Sequence, residues 1–182
     1  IFYMMNGWGG WSITVPSQWL VDSYLCTDGL PIDQSPLYDQ AKPFENRDPR
    51  LRQSLLVPGD WFAGVKYETH PDSTTTFQEV NGERTRISNP TVLNTYASFT
   101  GYQWRKHADE TQFWDLNSGQ GTLPLRLIRL GEVLLNYVEA KIELNEIDNS
   151  VYHAMNEIRG RVGMPAIAQG LGQDEWRKVL RL

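Results

Sequence analysis

Proline residues divide this sequence near residue 122 and limit what each part can fold into. Upstream of that point the apolar runs are short, and they are interrupted by Pro16, Pro31, Pro36, Pro43, Pro49, Pro58, Pro71 and Pro90. Because proline lacks a backbone N–H and clashes with the preceding turn, few helices can form there. Downstream, apolar residues recur every three or four positions, which is typical of amphipathic helices. The pattern predicts a loop-rich lobe over 1–121 and a helical part over 122–182.

Short elements are predicted within the loop-rich lobe. Ser17 can cap a helix over Pro16–Tyr24. The predicted face of that helix consists of Leu20, Val21 and Tyr24. Asp48 is placed as the N-cap of a second short helix, with Pro49 at its first position. Short paired strands are expected between 61 and 103, carried by Phe77, Val80, Val92, Tyr96 and Phe99.

Three helices are predicted in the second part. The first spans about 124–144 with an apolar face of Leu127, Leu130, Leu134, Val138 and Ile142. The second is capped by Asp148 or Ser150, stops at Gly163, and has an apolar face of Val151, Met155, Ile158 and Val162. Two such helices resemble one tetratricopeptide-like repeat of roughly 34 residues. A third helix starts near Asp174 and is unfinished where the sequence stops, so we expect a piece of a longer protein.

Length and charge exclude several classes of protein. With 182 residues the chain corresponds to one domain. Its 17 basic and 22 acidic residues give a net charge of −5, which argues against nucleic-acid binding through a cationic surface. No stretch approaches the roughly 18 apolar residues that span a bilayer. The single cysteine, Cys26, allows neither an internal disulfide nor a site of several thiolates.

Motifs of catalysis and metal binding are not apparent in the sequence. His70, His107 and His153 are scattered without the spacing of metal ligands. The chain has no Walker-type phosphate loop and no Gly-x-Ser-x-Gly elbow. A glycosidase would need two carboxylates across the scissile bond, and the candidates near aromatic residues are Asp60, Asp109, Glu110 and Asp115. Hydrolysis stays an alternative, but we assign no catalytic residue, metal ligand or cofactor.

Aromatic residues make up 12% of the chain and supply the candidate binding residues. In Asn6–Trp11 the glycines leave the indoles of Trp8 and Trp11 free of neighbouring bulk, which suits stacking against a sugar ring. Tyr3 and Asn6 add polar groups beside them. The second choices are Trp61, Trp104 and Trp114, of which Trp104 is interpreted as structural. The tryptophans on predicted helices are interpreted as packing residues, and they are Trp19 and Trp176.

Six strings occur in a specific order along nearly the whole chain. They are PSQWLVDSY (16–24), TDGLP (27–31), PFENRDPRL (43–51), GY with RK (101–106), IRLGEVLLNYVEA (128–140) and NEIRGRVGMP (156–165). The ordered set resembles the C-terminal portion of the SusD/RagB family, the surface glycan-binding lipoproteins of Bacteroidetes. Each string alone is modest evidence, whereas the series is specific.

The resemblance implies a fold and a function. Family members are mainly α-helical, with tetratricopeptide-like helix pairs packed against a loop-rich lobe that contains a few short strands and the ligand site. On this basis 1–182 is a single C-terminal domain fragment. The family binds oligosaccharide or polysaccharide without catalysis and passes it to a SusC-like TonB-dependent transporter. The resemblance also implies a surface-exposed outer-membrane lipoprotein, whose N-terminal lipid anchor is absent from this chain.

Several alternatives are open at this stage. A member of the same family can carry peptide or another nutrient, and such a site would present a long groove with exposed strand edges. A helical-repeat interaction module without a small ligand would be favoured if the indoles of Trp8 and Trp11 were buried. The polar residues of 46–50 are interpreted as scaffold, with Asp48 as a cap and an arginine holding carbonyl groups. A polar ladder or a solvent-exposed face is formed by Arg129, Glu132, Asn136 and Glu139.

Overall fold

The computed structural model describes residues 11–92, 97–106, 108, 110 and 126–181. The helices of this part are α1 (Gln18–Ser23), α2 (Arg50–Ser54), α3 (Leu130–Glu143), α4 (Asn149–Gly160) and α5 (Gln173–Leu180). The strands are β1 (Leu55–Leu56), β2 (Trp61–Phe62), β3 (Val65–Lys66), β4 (Thr75–Val80), β5 (Glu83–Ser88) and β6 (Gln103–Trp104). The expected mainly helical fold is confirmed in part, because helices account for 30% of the described residues and short antiparallel strands for 15%.

Two compact units are each assembled from separate stretches of the chain. The described residues up to Val21 and those from Leu51 to Glu110 form the first unit. The stretch Asp22–Arg50 and the described residues from Arg126 onward form the second unit. The assignment of the ligand site to a lobe over 1–121 stays a prediction.

A four-stranded antiparallel sheet in the order β2-β3-β4-β5 is the main β-structure of the first unit. The turn between β4 and β5 is Asn81-Gly82, and both residues have positive φ, 53° and 82°. This is the residue pair and backbone conformation of a type I′ hairpin turn, whose twist matches that of the strands. One face of the sheet packs on an apolar cluster of Leu56, Phe62, Val65 and Tyr67. Burial raises the pKa of the Tyr67 phenol, which keeps it neutral within this cluster.

The short helices α1 and α2 follow their local sequence signals. The backbone N–H of Leu20 donates to Ser17 Oγ at 3.2 Å, and that of Arg50 donates to Asp48 Oδ1 at 2.8 Å. Both predicted caps are therefore confirmed. Phe77 and Val80 lie in β4 as predicted. The strand prediction is wrong for Val92 and Phe99, which lie in turns, and Tyr96 lies outside the described residues.

The second unit has its core between α3, α4 and α5. The buried cluster consists of Val138, Ile142, Val151, Tyr152, Ala154, Met155 and Trp176. The rings of Tyr152 and Trp176 meet edge to face, with their centroids 4.9 Å apart. The predicted packing role of Trp176 is confirmed. None of the helices in the described part of the chain is both long and apolar enough to cross a membrane.

Helix α3 begins at Leu130, so the prediction of a start near Pro124 is wrong by about two turns. Arg129 precedes the helix in an extended conformation, with φ −127° and ψ 146°. Leu127 and Leu130 are exposed, whereas Val138 and Ile142 are fully buried. The apolar spacing therefore extends upstream of the residues of α3 that pack in the core. The solvent-exposed alternative holds for the four polar residues, Arg129, Glu132, Asn136 and Glu139.

The predicted start of α4 is confirmed. Asp148 is the N-cap, and its Oδ1 accepts from the backbone N–H of Ser150 at 2.8 Å. Hydrogen bonds from Ser150 and from Lys141 hold the pKa of the Asp148 carboxyl well below its usual range. The helix ends at Gly160, three residues before the predicted stop.

Arg47 holds the irregular stretch 22–50 together, which confirms the scaffold interpretation. Its guanidinium donates to the carbonyl oxygens of Pro43 at 2.8 Å and Tyr24 at 2.7 Å. It also lies over the ring of Tyr38, 5.7 Å from the centroid. A planar guanidinium can serve several carbonyl groups at once, which an ammonium group does less well.

We expect Arg47→Ala to lower the free energy of unfolding by about 2–4 kcal/mol, because two carbonyl groups in part-buried hydrogen bonds lose a charged donor. Arg47→Lys should give an intermediate loss. Urea unfolding followed by circular dichroism measures the difference. Arg161→Ala is the matched control at an exposed position, and an equal loss in both variants would contradict the scaffold role.

Gly29 has a positive φ of 85°, and an added Cβ would lie 3.0 Å from Nη2 of Arg159. That guanidinium is held by a hydrogen bond of 2.7 Å from its Nε to the carbonyl oxygen of Pro165. We expect Gly29→Ala to cost about 1–3 kcal/mol from backbone strain and crowding. Gly160→Ala, where a Cβ meets nothing within 4 Å, should change stability by less than about 1 kcal/mol in the same urea titration. Equal stabilities of the two variants would contradict this geometry.

Candidate functional site

Three exposed aromatic side chains lie on two segments of the first unit. Trp11 is 48% exposed, Trp19 is 76% exposed and Phe99 is 94% exposed. An aromatic residue that pins a loop to a core is mostly buried, so Trp19 and Phe99 are not in that role, and Trp11 is about half exposed. We call Trp11, Trp19 and Phe99 the aromatic surface.

Three hydrogen bonds join the two segments that carry the aromatic surface. Nε2 of Gln103 donates to Oγ of Ser12 at 2.8 Å, in a buried position. The phenol of Tyr102 donates to Oε1 of Gln18 at 2.7 Å. The hydroxyl of Thr100 donates to the carbonyl oxygen of Pro16 at 2.7 Å. The stretches 12–18 and 100–103 are therefore held against each other.

Each aromatic residue of the surface is a sequence neighbour of one of these bonded residues. Trp11 precedes Ser12, Trp19 follows Gln18, and Phe99 precedes Thr100. The hydrogen bonds therefore hold the chain beside each ring, while Trp19 and Phe99 are largely exposed and Trp11 is about half exposed. A backbone held in this way lowers the ordering cost of binding a ligand.

The structure describes two of the five predicted ligand-binding residues. Trp11 is exposed, as the stacking hypothesis requires. Trp8, Asn6 and Tyr3 lie outside the described residues. Trp61 is half-buried in β2, and the guanidinium carbon of Arg84 lies over its ring, 5.0 Å from the centroid. A cation therefore already occupies one face of the Trp61 indole.

The interpretation of Trp19 as a packing residue is wrong. Helix α1 buries Val21 and half-buries Leu20, and at 100° per residue Trp19 falls on the opposite side. The sequence already indicated this exposure, because Trp19 is not among the residues of the predicted apolar face of this helix. The exposure of Phe99 was also not predicted, and its local sequence carries no periodic signal.

The other tryptophan candidates do not add to the aromatic surface. Trp104 pairs with Leu55 across the two-stranded sheet and its Nε1 is buried, which agrees with a structural role. Trp114 lies outside the described residues.

The carboxylates considered for hydrolysis have structural partners where the structure describes them. Asp60 is 5% exposed, forms an ion pair with Arg52, and accepts a hydrogen bond from the backbone N–H of Val57 at 3.3 Å. Glu110 pairs with Arg105 at 2.6 Å and accepts from the N–H of Ala63 at 3.1 Å. Asp109 and Asp115 lie outside the described residues. The described histidine, cysteine and acidic side chains form no group that could hold a metal ion.

The chain belongs to the SusD family, whose model matches residues 4–181. It is similar to a solved SusD-like carbohydrate-binding protein from Bacteroides fragilis NCTC 9343, with 27% identity and a TM-score of 0.72 over 98% of this chain. A second SusD-like protein of that organism shares the fold, with 21% identity and a TM-score of 0.65 over 98% of this chain. A comparison with curated proteins gave no match.

The chain spans about a third of the length of these two structures, 34% and 35% respectively. The resemblance seen in the ordered strings is confirmed as family membership.

We expect Trp19→Ala to change the free energy of unfolding by less than about 0.5 kcal/mol, because the indole is exposed. Trp176→Ala should cost about 3–5 kcal/mol, because it empties a fully buried position in the second unit. Circular dichroism during urea unfolding measures both without relying on tryptophan fluorescence. A loss at Trp19 comparable with that at Trp176 would place Trp19 in the core and contradict the aromatic surface.

Proposed function

We propose that this chain is part of a surface glycan-binding protein that captures oligosaccharide without catalysis and passes it to a SusC-like TonB-dependent transporter. The observation that carries the proposal is the aromatic surface of Trp11, Trp19 and Phe99 on two hydrogen-bonded segments. Membership of the SusD family and the likeness to a SusD-like carbohydrate-binding protein support it. SusD-family proteins are typically outer-membrane-associated lipoproteins, and we propose this location.

Stacking against sugar rings explains why aromatic residues would remain exposed at this position. The C–H face of a pyranose is apolar, and an indole or phenyl ring offers it a flat surface of matching size. Tyr3 and Asn6, together with Trp8, belong to the proposed site as partners of Trp11. Hydroxyl groups of the sugar would take their hydrogen bonds from such polar neighbours.

The proposed protein binds the glycan and does not hydrolyse it. Members of the SusD family are generally non-catalytic binding proteins. The ion pairs and backbone hydrogen bonds of Asp60 and Glu110 support this, because a glycosidase needs its two carboxylates directed at the sugar. No cofactor enters the proposal.

Two alternatives receive less support from the structure. A peptide-binding site would use a free strand edge, and β5 is an edge strand of its sheet. That strand carries Glu83, Arg84 and Arg86, and charges of this kind disfavour pairing with another strand. An interaction module without a small ligand would bury its indoles, whereas Trp11 is half-exposed.

We expect the double variant Trp11→Ala, Trp19→Ala to bind its glycan more weakly by about 1–3 kcal/mol, or roughly 5- to 150-fold in Kd. Isothermal titration against a panel of plant, microbial and host oligosaccharides measures the loss. Tyr137→Ala, which removes an exposed aromatic side chain of α3, is the matched control and should bind as the wild type does.

Two results would contradict the proposed function. Glycan binding that is unchanged in the double variant would exclude the aromatic surface as the site. New reducing ends in an assay on the same samples would show hydrolysis and exclude a protein that only binds.

A further inference from the structure

The outer face of the four-stranded sheet carries two arginines stacked on aromatic rings. The guanidinium carbon of Arg86 lies 5.5 Å from the centroid of Phe77, and that of Arg84 lies 5.0 Å from the centroid of Trp61. Phe77 is directly opposite Arg86 in the ladder, and Glu79 is directly opposite Arg84. Alternate residues of a strand share a face, so both stacks lie on one side of the sheet.

This face is the one that does not pack on the core of the unit. Thr76 and Ile87 form the neighbouring cross-strand pair; Thr76 is buried, and Ile87 packs on the apolar cluster beneath the sheet. Phe77 therefore points to the opposite side, where it remains 39% exposed. Arg84 and Arg86 are exposed on the same side.

Among the described residues of this face, the charges other than that of Arg86 are paired. Arg84 Nε donates to Glu79 Oε2 at 2.8 Å, and Lys66 Nζ lies 2.7 Å from Glu68 Oε1. Among the described residues no carboxylate lies within ion-pair distance of the Arg86 guanidinium. In a chain with a net charge of −5, Arg86 is a local unpaired positive charge and not part of a broad cationic surface.

Stacking leaves the donors of the Arg86 guanidinium available. A ring contacts the flat face of a guanidinium, whereas its N–H groups point outward in the plane. Those groups match the two oxygens of a carboxylate or of a sulfate ester. The exposed part of Phe77 offers an apolar surface beside them. A cation and an aromatic ring side by side fit a sugar that bears an acidic group.

We infer that the outer face of this sheet is an anion subsite for glycans with acidic sugars, with Arg86 binding the carboxylate or sulfate and Phe77 contacting the ring. The inference rests on the proposed function, and it names the class of glycan as acidic. Arg84, stacked on Trp61 and paired with Glu79, positions the neighbouring part of the face. Trp61 then contributes to the subsite by holding Arg84, and it does not itself stack against the sugar.

A glycan array with the full chain tests the inference. The array contains uronic-acid oligosaccharides, the same oligosaccharides as methyl esters, sulfated oligosaccharides and neutral ones. We expect the tightest ligands to be acidic and the methyl esters of uronic-acid ligands to bind about 5- to 30-fold more weakly. Arg86→Gln should cause the same loss for the acidic form and leave the ester unaffected.

Two further variants separate a direct contact from a general effect of charge. Arg161→Gln removes an exposed arginine of the second unit and should leave binding unchanged. Arg86→Lys keeps the charge but loses the planar fork, so it should bind with intermediate affinity. Thermal unfolding should give the same Tm for all three variants, since each position is exposed.

The outcomes distinguish this inference from the proposed function. Tight binding of neutral glycans alone, or indifference of both uronic-acid and sulfated ligands to Arg86→Gln, would overturn the anion subsite and leave glycan capture intact. Absence of binding to any glycan on the array would overturn both. If Arg86→Gln loses uronic-acid ligands and retains sulfated ones, the carboxylate is the group that Arg86 binds, and the opposite result would identify sulfate.

Discussion

Side chains that satisfy backbone polar groups are the interactions on which the irregular parts of this protein depend. Elements are short in the first unit, so sheet and helix ladders satisfy only part of its backbone. The fully buried amide of Asn89 donates to the carbonyl oxygens of Glu68 and Ser73, and its Oδ1 accepts from the N–H of Thr91. Arg47 does the same for two carbonyls in the second unit. Polar side chains therefore do here what regular hydrogen bonding does in a sheet or a helix.

The exposure of aromatic residues follows from this way of holding loops. Because Gln103, Tyr102 and Thr100 join the two segments through polar contacts, the neighbouring rings are not needed as apolar pins. Trp19 and Phe99 can then face outward on a backbone that is fixed. The four-stranded sheet is similar in this respect, since Arg86 lies over Phe77 and leaves part of the ring exposed. Both surfaces combine a hydrogen-bonded stretch of chain with exposed side chains.

Local signals predicted some elements correctly and others not. The caps at Ser17 and Asp48 are contacts over two or three residues, so the sequence contains all that decides them. The start of α3 depends on where Arg129 leaves the extended conformation, and apolar spacing upstream of it suggested a longer helix. Trp19 could have been placed by the helical period alone. Phe99 could not, since its exposure depends on contacts between segments.

The sequence by itself determined the family, the position of most helices and the scaffold around Arg47, because ordered motifs, apolar periodicity and caps are local properties. Tertiary structure decided which aromatic residues are exposed and which cations are paired. The Gln103–Ser12 bond joins residues 91 positions apart, and the Phe77–Arg86 stack depends on strand register. The first contact forms only after distant segments meet, because their separation in sequence carries no pattern. The second needs the paired hairpin, which brings Arg86 beside Phe77.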